Sequence, residues 1–505
     1  MNSPFQRILF STHTARHYMP PPGYAADCVV CGPDYENAFS VDGRVRSLRT
    51  PTAAPYDIAA LIGSLPAAER PELLLARVDG FMRNQPANLA GVDLPSVLIF
   101  GDSHHGTAPL ERLIDYATAE PYDFYVVDHK RQHAHWYAEA GLGPLAWIPA
   151  LLLADDFRQP AGPTRPEACF VGQTGKHHPL RVRLLNAIRS SGLPLQVGRM
   201  PQKRAYSTYN RTRISLNCSL NGDLNLRNFE VLAAGGFLLT DRLSTLAGLD
   251  DLFTDGQDLV TYDDADDLTG KIRKYLEHSE ERDRIAAHGH ATVRRLFSLE
   301  ERTRRLTGLV RDGRIEPANS VLGDRRIGRY ASRSGAHFRF RLRIYQWAQE
   351  LHRRRNGLSV VCSNDSDVRL CCDLADLSRV RLQRDTRSEQ DRQLIRQCGL
   401  ADVVEPVGMP AREEQTGRPV IVLCRAHEAL ALHDRRAPDA IIVTDFTRDG
   451  EPDETAAKSG AGTACSEPRP GDGLAAALAE RGLIPDPAVG GVYARRDLAD
   501  GRPPA

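Results

Sequence analysis

The sequence predicts an α/β protein built from several parallel-sheet domains. Short apolar runs alternate with helical patterns along the chain, which is the order that parallel sheets with crossover helices require. Polar clusters follow several of these runs directly, as expected at the carboxyl ends of parallel strands, where ligands bind in open α/β sheets. The length of 505 residues corresponds to three or four domains of ordinary size.

The composition excludes several other classes of protein. Hydrophobic residues make up 41% and charged residues 26%, which is ordinary globular usage, so extensive disorder and a small disulfide-stapled fold are excluded. Lys+Arg and Asp+Glu both number 65, so no net charge favours a nucleic-acid partner. We find no signal peptide pattern and no apolar run of the roughly 18–20 residues that span a bilayer. We therefore expect a cytoplasmic protein without a transmembrane segment, with peripheral membrane contact left open.

The first predicted domain covers residues 1–155 and has a Rossmann-like pattern. Apolar runs at residues 8–10, 97–100 and 124–127 predict buried strands. The first run continues into Ser11, Thr12 and His13. The second ends in Gly101-Asp102-Ser103-His104-His105-Gly106, and the third ends in Asp128-His129.

The second predicted domain covers residues 165–320. Its predicted strands lie at residues 168–172, 195–198, 213–217 and 237–241, and its predicted helices at 180–189, 228–234, 263–278 and 280–297.

Two further segments follow. Residues 321–356 are rich in Arg and aromatic residues and predict a connecting helix whose aromatic side chains pack on a domain. Residues 357–505 predict a third, Rossmann-like α/β domain with strands at 359–362, 419–423 and 440–445. Its first strand lacks a glycine-rich loop, which favours a degenerate domain used for acceptor recognition or assembly.

The most informative stretch runs from Arg213 to Asp241. A strand is followed by a polar loop and then by a helix that begins near Arg227. The free N–H groups at such a helix start suit a phosphate, and Arg227 would add a charged contact. Glu230, one turn further on, is placed to accept hydrogen bonds from a ribose. An amphipathic helix with a solvated Glu and a Gly-Gly stop explains the spacing equally well.

A longer pattern carries a family resemblance. The run NLRNFEVLAAGGFLLTD at residues 225–241, the run GLDDLFTDGQDLVTYDDADDLTGKIRKYLEHSEERDRIAAHG at residues 248–289, and Phe297-Ser298 resemble one group of glycosyltransferases. This is the spore-maturation-protein-like (CgeB-type) group, related to the group 1 glycosyltransferases. The similarity covers roughly residues 165 to 310.

The resemblance implies a GT-B fold, in which two facing Rossmann-like domains bind a nucleotide sugar between them. It implies a hexosyltransferase-like enzyme that needs no metal and no other cofactor. Glu230 matches the acidic residue that holds the ribose. Many relatives carry a second Glu eight positions earlier; here Gly222 stands there, beside Asp223.

Without a metal, cations must stabilise the leaving diphosphate. The predicted donor-binding residues are Glu230, Arg227, Asn225, Asp223, Lys176, Arg204 and Gly172, the last in the turn that leads to Lys176. A solvated lysine in a surface loop is an equal alternative for Lys176.

Asp102, His104 and His105 are the predicted catalytic residues. A His oriented by an Asp can accept the proton of an acceptor hydroxyl on a glycan or protein near neutral pH. Structural histidines, or a metal site that includes His133 and His135, are the alternatives. The predicted function is glycosyl transfer, and the alternative is a non-catalytic nucleotide- or sugar-binding assembly protein. The sequence does not indicate the donor sugar, the acceptor, the stereochemistry, the oligomeric state or the role of the C-terminal domain.

Overall fold

The structure is a computed structural model that describes residues 5–13, 23–104, 106–154, 157–163, 165–175, 178–316, 319, 337–355, 358–362, 370, 373–374, 377, 380–384, 404–406, 420–424, 438, 440–443, 476–485 and 492–495. The chain divides into two compact units, Met1–Asp324 and Arg325–Ala505. The first unit contains two α/β domains, each with its own sheet.

An eight-stranded sheet forms the first domain, in the order β10-β9-β8-β6-β1-β2-β4-β3. All neighbouring strands are parallel except β3 and β4. The small strands β5 and β7 pair separately. The strands are β1 (Phe5–Ser11), β2 (Ala25–Gly32), β3 (Ala38–Phe39), β4 (Val45–Arg49), β5 (Pro55–Asp57), β6 (Leu73–Val78), β7 (Gln85–Ala87), β8 (Ser96–Phe100), β9 (Phe124–Val127) and β10 (Leu145–Trp147), and the helices are α1 (Ile58–Gly63), α2 (Pro109–Ala119) and α3 (Ala134–Glu139).

The centre of this sheet is apolar on both faces. Strands β6 and β8 are buried along their whole length, and β1 is buried except at Gln6. A parallel sheet covered on both faces is expected to show this pattern. The carboxyl ends of β1, β6, β8 and β9 therefore lie side by side along one edge of the sheet.

The second domain is built on a five-stranded parallel sheet in the order β12-β11-β13-β14-β15. Helices α4 and α8 pack against each other, as do α5 with α6 and α6 with α9. The elements are β11 (Arg165–Val171), α4 (Pro179–Ser190), β12 (Leu195–Gly198), α5 (Gln202–Arg211), β13 (Thr212–Leu216), α6 (Leu226–Ala233), β14 (Leu238–Asp241), α7 (Leu249–Leu252), β15 (Val260–Tyr262), α8 (Ala265–Glu277) and α9 (Ser279–Phe297).

Gly235 ends helix α6 in the way that the Gly-Gly pair predicts. Its φ angle is 76°, in the left-handed region that favours glycine. The N–H groups of Gly235 and Gly236 donate to the carbonyls of Leu232 and Val231. These bonds satisfy the last carbonyls of the helix and turn the chain into β14.

Helix α10 (Leu299–Asp312) follows the second domain and packs on the first. The Arg302 side chain on this helix is completely buried, and its guanidinium donates to the carbonyl of Leu153 at 2.7 Å and to that of Phe297 at 2.9 Å. The Arg311 guanidinium lies 5.0 Å from the centre of the Phe5 ring. Through these contacts α10 joins the two domains of the first unit.

The second unit contains a seven-stranded sheet in the order β18-β17-β16-β19-β20-β22-β21. Strands β16 to β20 are parallel, and β22 is antiparallel to both of its neighbours. Its described elements are α11 (His337–Arg355), β16 (Leu358–Cys362), β17 (Val380–Arg384), β18 (Val404–Pro406), β19 (Val420–Cys424), β20 (Ala440–Val443), β21 (Leu483–Pro485) and β22 (Val492–Arg495).

The predicted fold class is confirmed: the chain has two Rossmann-like domains, followed by a third Rossmann-like unit. The Arg- and aromatic-rich helix, predicted as a connector, lies in this second unit as α11, where it packs against β16. Its Arg341 forms a buried ion pair with Asp373, with a nitrogen–oxygen distance of 2.8 Å. Among the helices in the described ranges, none is long and apolar enough to cross a membrane.

Candidate active site

Two loops of the first unit meet at the boundary between its domains. One loop follows β9 and contains Lys130 and Gln132, which are both almost completely buried. Lys130 donates to the carbonyl of Asn221, and Gln132 donates to that of Gly222 at 2.9 Å. The carboxyl edges of the two sheets therefore face each other across this contact.

Glu230 lies on α6 beside this boundary and is half-buried. Its Oε1 accepts a hydrogen bond from Gln202 Nε2 at 2.8 Å. Burial raises the pKa of Glu230, although the bond from Gln202 and the charges of Arg227 and His129 act in the opposite direction. His129 belongs to the first domain, so Glu230 lies close to residues of both domains.

Arg227 lies one turn before Glu230 and reaches the end of β11. Its Nε donates to the carbonyl of Val171 at 2.6 Å, and its Nη1 donates to Asn217 Oδ1 at 2.7 Å. A side chain at Gly172 would place its Cβ 2.2 Å from the Arg227 guanidinium. Only glycine at position 172 leaves room for the Arg227 guanidinium. Gly172 therefore acts through packing, next to the predicted phosphate site.

Arg181 is a second cation at this edge, and it was not among the residues predicted from the sequence. The guanidinium groups of Arg227 and Arg181 lie 4.6 and 5.1 Å from the centre of the Phe170 ring. Arg181 donates to the carbonyls of Gln173 and Cys218, both at 2.8 Å. Burial lowers the pKa of Arg181, and the neighbouring Arg227 lowers it further. Two cations held this close favour an anion beside them.

Asn225 occupies the N-cap position of α6 without capping the helix through its side chain. Its carbonyl accepts from the backbone and side-chain nitrogens of Asn228, both at 3.2 Å. The first N–H groups of α6 have no acceptor within the helix, as in any α-helix. Arg227 lies in the first turn of this helix. The positive end of the helix dipole and a guanidinium group therefore lie at the same edge of the second sheet.

Asp223 faces the first domain. Its Oδ2 lies 3.6 Å from His104 Nε2, and its Oδ1 accepts from the N–H of Leu220 at 2.6 Å. The neighbouring Asn221 side chain donates to the carbonyl of His104. The structure thus places Asp223, a predicted sugar-side residue, and His104, a predicted base, in one buried pair that links the domains.

Asp102 lies apart from this pair. Its carboxylate is 4.0 Å from a guanidinium nitrogen of Arg77 and is 35% exposed.

Arg204 is exposed on α5, and no contact in the described residues joins it to Arg227 or Glu230. His105 and Lys176 lie outside the residues that the structure describes, so their roles stay predictions.

The other histidines of this edge each have an acidic or hydroxyl partner. His129 Nε2 lies 3.4 Å from Asp128, His133 Nδ1 lies 2.8 Å from the Ser103 hydroxyl, and His135 Nδ1 lies 3.1 Å from Glu139. In the described ranges, no group of three or more His, Cys, Asp or Glu residues is arranged to hold a metal ion.

A known protein family matches most of the second domain. Residues 183–308 match the glycosyl transferase-like family. This range begins in α4, contains Arg227 and Glu230, and ends in α10. The matched range therefore includes the part of this edge that carries Arg227 and Glu230, whereas Gly172 and Arg181 lie before it. No curated protein sequence matches the chain.

Several solved structures resemble the chain at low sequence identity. Alr3699/HepE from Anabaena, in complex with UDP and glucose, has 12% identity and a TM-score of 0.43, with 61% of this chain and 100% of that chain covered. Sucrose-phosphate synthase from Thermosynechococcus elongatus has 13% identity and a TM-score of 0.41, with coverages of 61% and 98%. The pneumococcal O-GlcNAc transferase GtfA, in complex with UDP and GlcNAc, has 13% identity and a TM-score of 0.36, with coverages of 50% and 59%.

Proposed function

We propose that the chain is a CgeB-type glycosyltransferase that moves a hexose from a nucleotide sugar to a hydroxyl group on a glycan or protein. The observation that carries this proposal is the position of Arg227 and Glu230. They lie one turn apart on α6, inside the glycosyl transferase-like domain, at the edge that faces the first domain. We include action in the cytoplasm in this proposal.

Glu230 binds the ribose of the donor. An ionised carboxylate accepts hydrogen bonds from two neighbouring hydroxyls, and Gln202 fixes the side chain from the other side at 2.8 Å. The hydrogen bond from Gln202 and the positive charge of Arg227 favour the ionised form of Glu230. A nucleotide bound here lies at the boundary of the two domains.

The diphosphate binds at the start of α6, beside Arg227 and Arg181. Negative charge grows on the diphosphate as the bond to the sugar breaks, and fixed cations and helix N–H groups stabilise that charge. Arg227 is already oriented by Val171 and Asn217, so little side-chain conformational freedom is lost on binding. Asn225, at the N-cap position, contributes polar atoms at the same place.

Calorimetry on the full chain tests the proposal. We expect at least one of UDP-glucose, GDP-mannose and dTDP-glucose to bind, and to be consumed slowly with water as the acceptor. Absence of binding by all three nucleotide sugars and by UDP, GDP and dTDP would contradict the proposed function.

Metal independence is a separate part of the proposal. Arg227, Arg181 and the start of α6 stabilise the negative charge of the leaving diphosphate without a metal. We therefore expect the rate of donor consumption in EDTA to stay within about twofold of the untreated rate. The measurement is the rate before and after chelation, with manganese or magnesium added back. Loss of the rate on chelation and its return with either metal would contradict metal independence.

One observation favours a non-catalytic binding protein as the second candidate. Asn221, Gly222 and Asp223, which occupy the loop where many relatives have a sugar-side Glu, all contact the first domain here. A chain that binds a nucleotide sugar tightly but consumes none of the donors would support this alternative.

A further inference from the structure

A long recess lies along helix α9 of the second domain. Two adjoining hollows form it, with volumes of about 470 and 770 Å³, and Pro160, in the segment between the two domains, lines both. The first hollow reaches the starts of β13 and β14, at Thr212 and Phe237. Arg227 and Glu230 follow the carboxyl end of β13, so the recess lies at the opposite edge of the second sheet. We name this recess the linker trough.

The segment between the domains forms one fixed wall of the linker trough. The Nδ2 of Asn210 donates to the carbonyl of Gln159 at 2.8 Å and to that of Ala234 at 2.7 Å. A Cβ at Gly235 would lie 2.7 Å from the nitrogen of Pro160, so glycine lets this segment lie directly on the end of α6. The wall is therefore in place before any ligand binds, which lowers the entropic cost of binding.

Small residues form the floor of the trough. They are Ala286, Ala287, Ala291, Gly235 and Gly236. Arg282 lines one hollow and Arg295 lines the other, and at about 1.5 Å per residue the part of α9 between them is about 20 Å long. An extended chain can therefore lie along the helix, close to its backbone.

The free charge of the trough is positive. Arg213 lines the first hollow, and Arg294 and Arg295 are exposed in the second. Within the part of the chain that the structure describes, none of these three arginines forms a hydrogen bond or an ion pair. Arg282 also lines the first hollow, but the carboxylate of Asp283 lies 2.9 Å from its guanidinium and balances its charge.

The carboxyl-terminal end of α6 borders the trough, but its carbonyls are already satisfied. The carbonyls of Val231 and Leu232 accept from the backbone that follows the helix, and that of Ala234 accepts from Asn210. The negative end of a helix dipole resides on unpaired carbonyl groups. This helix end therefore leaves the charge of the arginines largely in place.

His290 lies buried beside two of these arginines. It is 4% exposed and lines the second hollow. Its Nδ1 donates to the carbonyl of Leu232 at 3.0 Å, and its Nε2 has no hydrogen-bond partner among the described residues. Burial lowers the pKa of His290, and the charge of Arg294 lowers it further. No described carboxylate thus compensates the positive charge at this point.

The shape and the charge together favour an acidic polysaccharide as the ligand. Guanidinium groups bind carboxylates through paired hydrogen bonds. A protein partner anchors through large side chains in well-packed pockets, whereas this floor consists of small residues. A single-stranded nucleic acid stacks its bases on aromatic side chains, but Phe237 in the trough is only 2% exposed. A membrane surface is too flat to enter a recess along a helix.

We propose that the linker trough binds one strand of an acidic polysaccharide, through Arg213 in one hollow and Arg294 and Arg295 in the other. The strand belongs to the acceptor glycan, and in this respect the inference rests on the proposed function. Binding at a place away from the donor raises the effective concentration of acceptor hydroxyls at the domain boundary, without a contact to the reacting groups.

The experiment measures binding of a fluorescein-labelled decamer of galacturonic acid to the full chain by fluorescence anisotropy at low salt. Every residue of this probe carries a carboxylate. Joint substitution of Arg294→Gln and Arg295→Gln should raise Kd by about tenfold or more, because each arginine loses a charged hydrogen bond. Arg213→Gln should also raise Kd. Binding of UDP should change less than about twofold, because the trough is remote from Arg227 and Glu230.

The matched control is Arg284→Gln. Arg284 is exposed on the same helix but does not line either hollow. Arg284→Gln and Arg295→Gln each remove one positive charge from α9, so only a specific contact makes them differ. We expect Arg284→Gln to change Kd less than about twofold. A maltodextrin of ten residues, which is neutral, should bind far more weakly than the galacturonate decamer.

Three results would overturn the assignment of the trough. One is the absence of galacturonate binding by the full chain at low salt. The second is an equal loss of affinity in Arg284→Gln and Arg295→Gln, which would indicate attraction by the general charge of the helix. The third is tighter binding of a single-stranded DNA decamer or a glutamate decapeptide, which would give the trough another class of ligand. If these arginines bind galacturonate but the chain binds no nucleotide, the trough stands and the proposed function fails.

Discussion

Substitution of Glu230 should weaken nucleotide binding with little effect on the stability of the fold. Glu230→Gln keeps the size of the side chain and its contact with Gln202, but removes the charge. We expect nucleotide affinity to fall by about 1–3 kcal/mol, the cost of losing a charged hydrogen bond, with little change in the free energy of unfolding. Calorimetry with the nucleoside diphosphate measures the first quantity and urea unfolding the second. Unchanged affinity would contradict the ribose assignment.

The same carboxylate gives the expected pH dependence. Burial raises the pKa of Glu230, and the ribose is bound by the ionised form. Affinity should therefore decline as the pH falls through this raised pKa, at a higher pH than for an ordinary glutamate. The matched control is Glu277→Gln at the exposed end of α8, which should leave both affinity and its pH dependence unchanged.

The sequence predicted some residues of the site better than others. Arg227 and Glu230 share one helix, so their spacing alone brought them together in the prediction. His104 and Asp223 come from different domains, and no local pattern indicates that they form a pair at 3.6 Å. Their pairing depends on how the domains pack, which periodicity and motif spacing do not encode.

Helix α10 is the element that joins the domains of the first unit, and Arg302 is its central contact. Arg302→Leu would leave the carbonyls of Leu153 and Phe297 buried without their donor. Because unsatisfied buried acceptors cost about 1–3 kcal/mol each, we expect the free energy of unfolding to fall by about 2–5 kcal/mol. Urea unfolding measures this change.

Arg304→Gln on the same helix is the matched control. Arg304 forms exposed ion pairs with Glu301 and Glu316, and such pairs contribute about 0–1 kcal/mol. An equal loss of stability in the two variants would show that the buried contacts of Arg302 do not hold the domains together.

At the level of elements, apolar runs predicted three strands of the eight-stranded first sheet. The runs at residues 8–10, 97–100 and 124–127 lie within β1, β8 and β9. Strand β6 is among those that were not predicted, although residues 73–76 are all apolar. That omission also left out Asp79, whose carboxylate follows β6 and lies 3.3 Å from His13 Nε2.

At the scale of the whole molecule, the two compact units divide the chain after α10. The sequence predicted three α/β domains, with the Arg- and aromatic-rich helix as a connector before the third. The structure shows that α10 contacts the first domain, whereas α11 packs within the second unit.

This division predicts which truncations keep the nucleotide site. A chain that ends at residue 324 retains α10, and should fold and bind the nucleoside diphosphate within about twofold of the full chain, because each compact unit has its own core. A chain that ends at residue 298 loses α10, and with it the buried Leu306 and Leu309, so it should expose apolar surface and aggregate. Size-exclusion chromatography and calorimetry distinguish the two chains. If the longer truncation is folded but binds no nucleotide while the full chain does, the second unit takes part in donor binding and the units are not functionally separable.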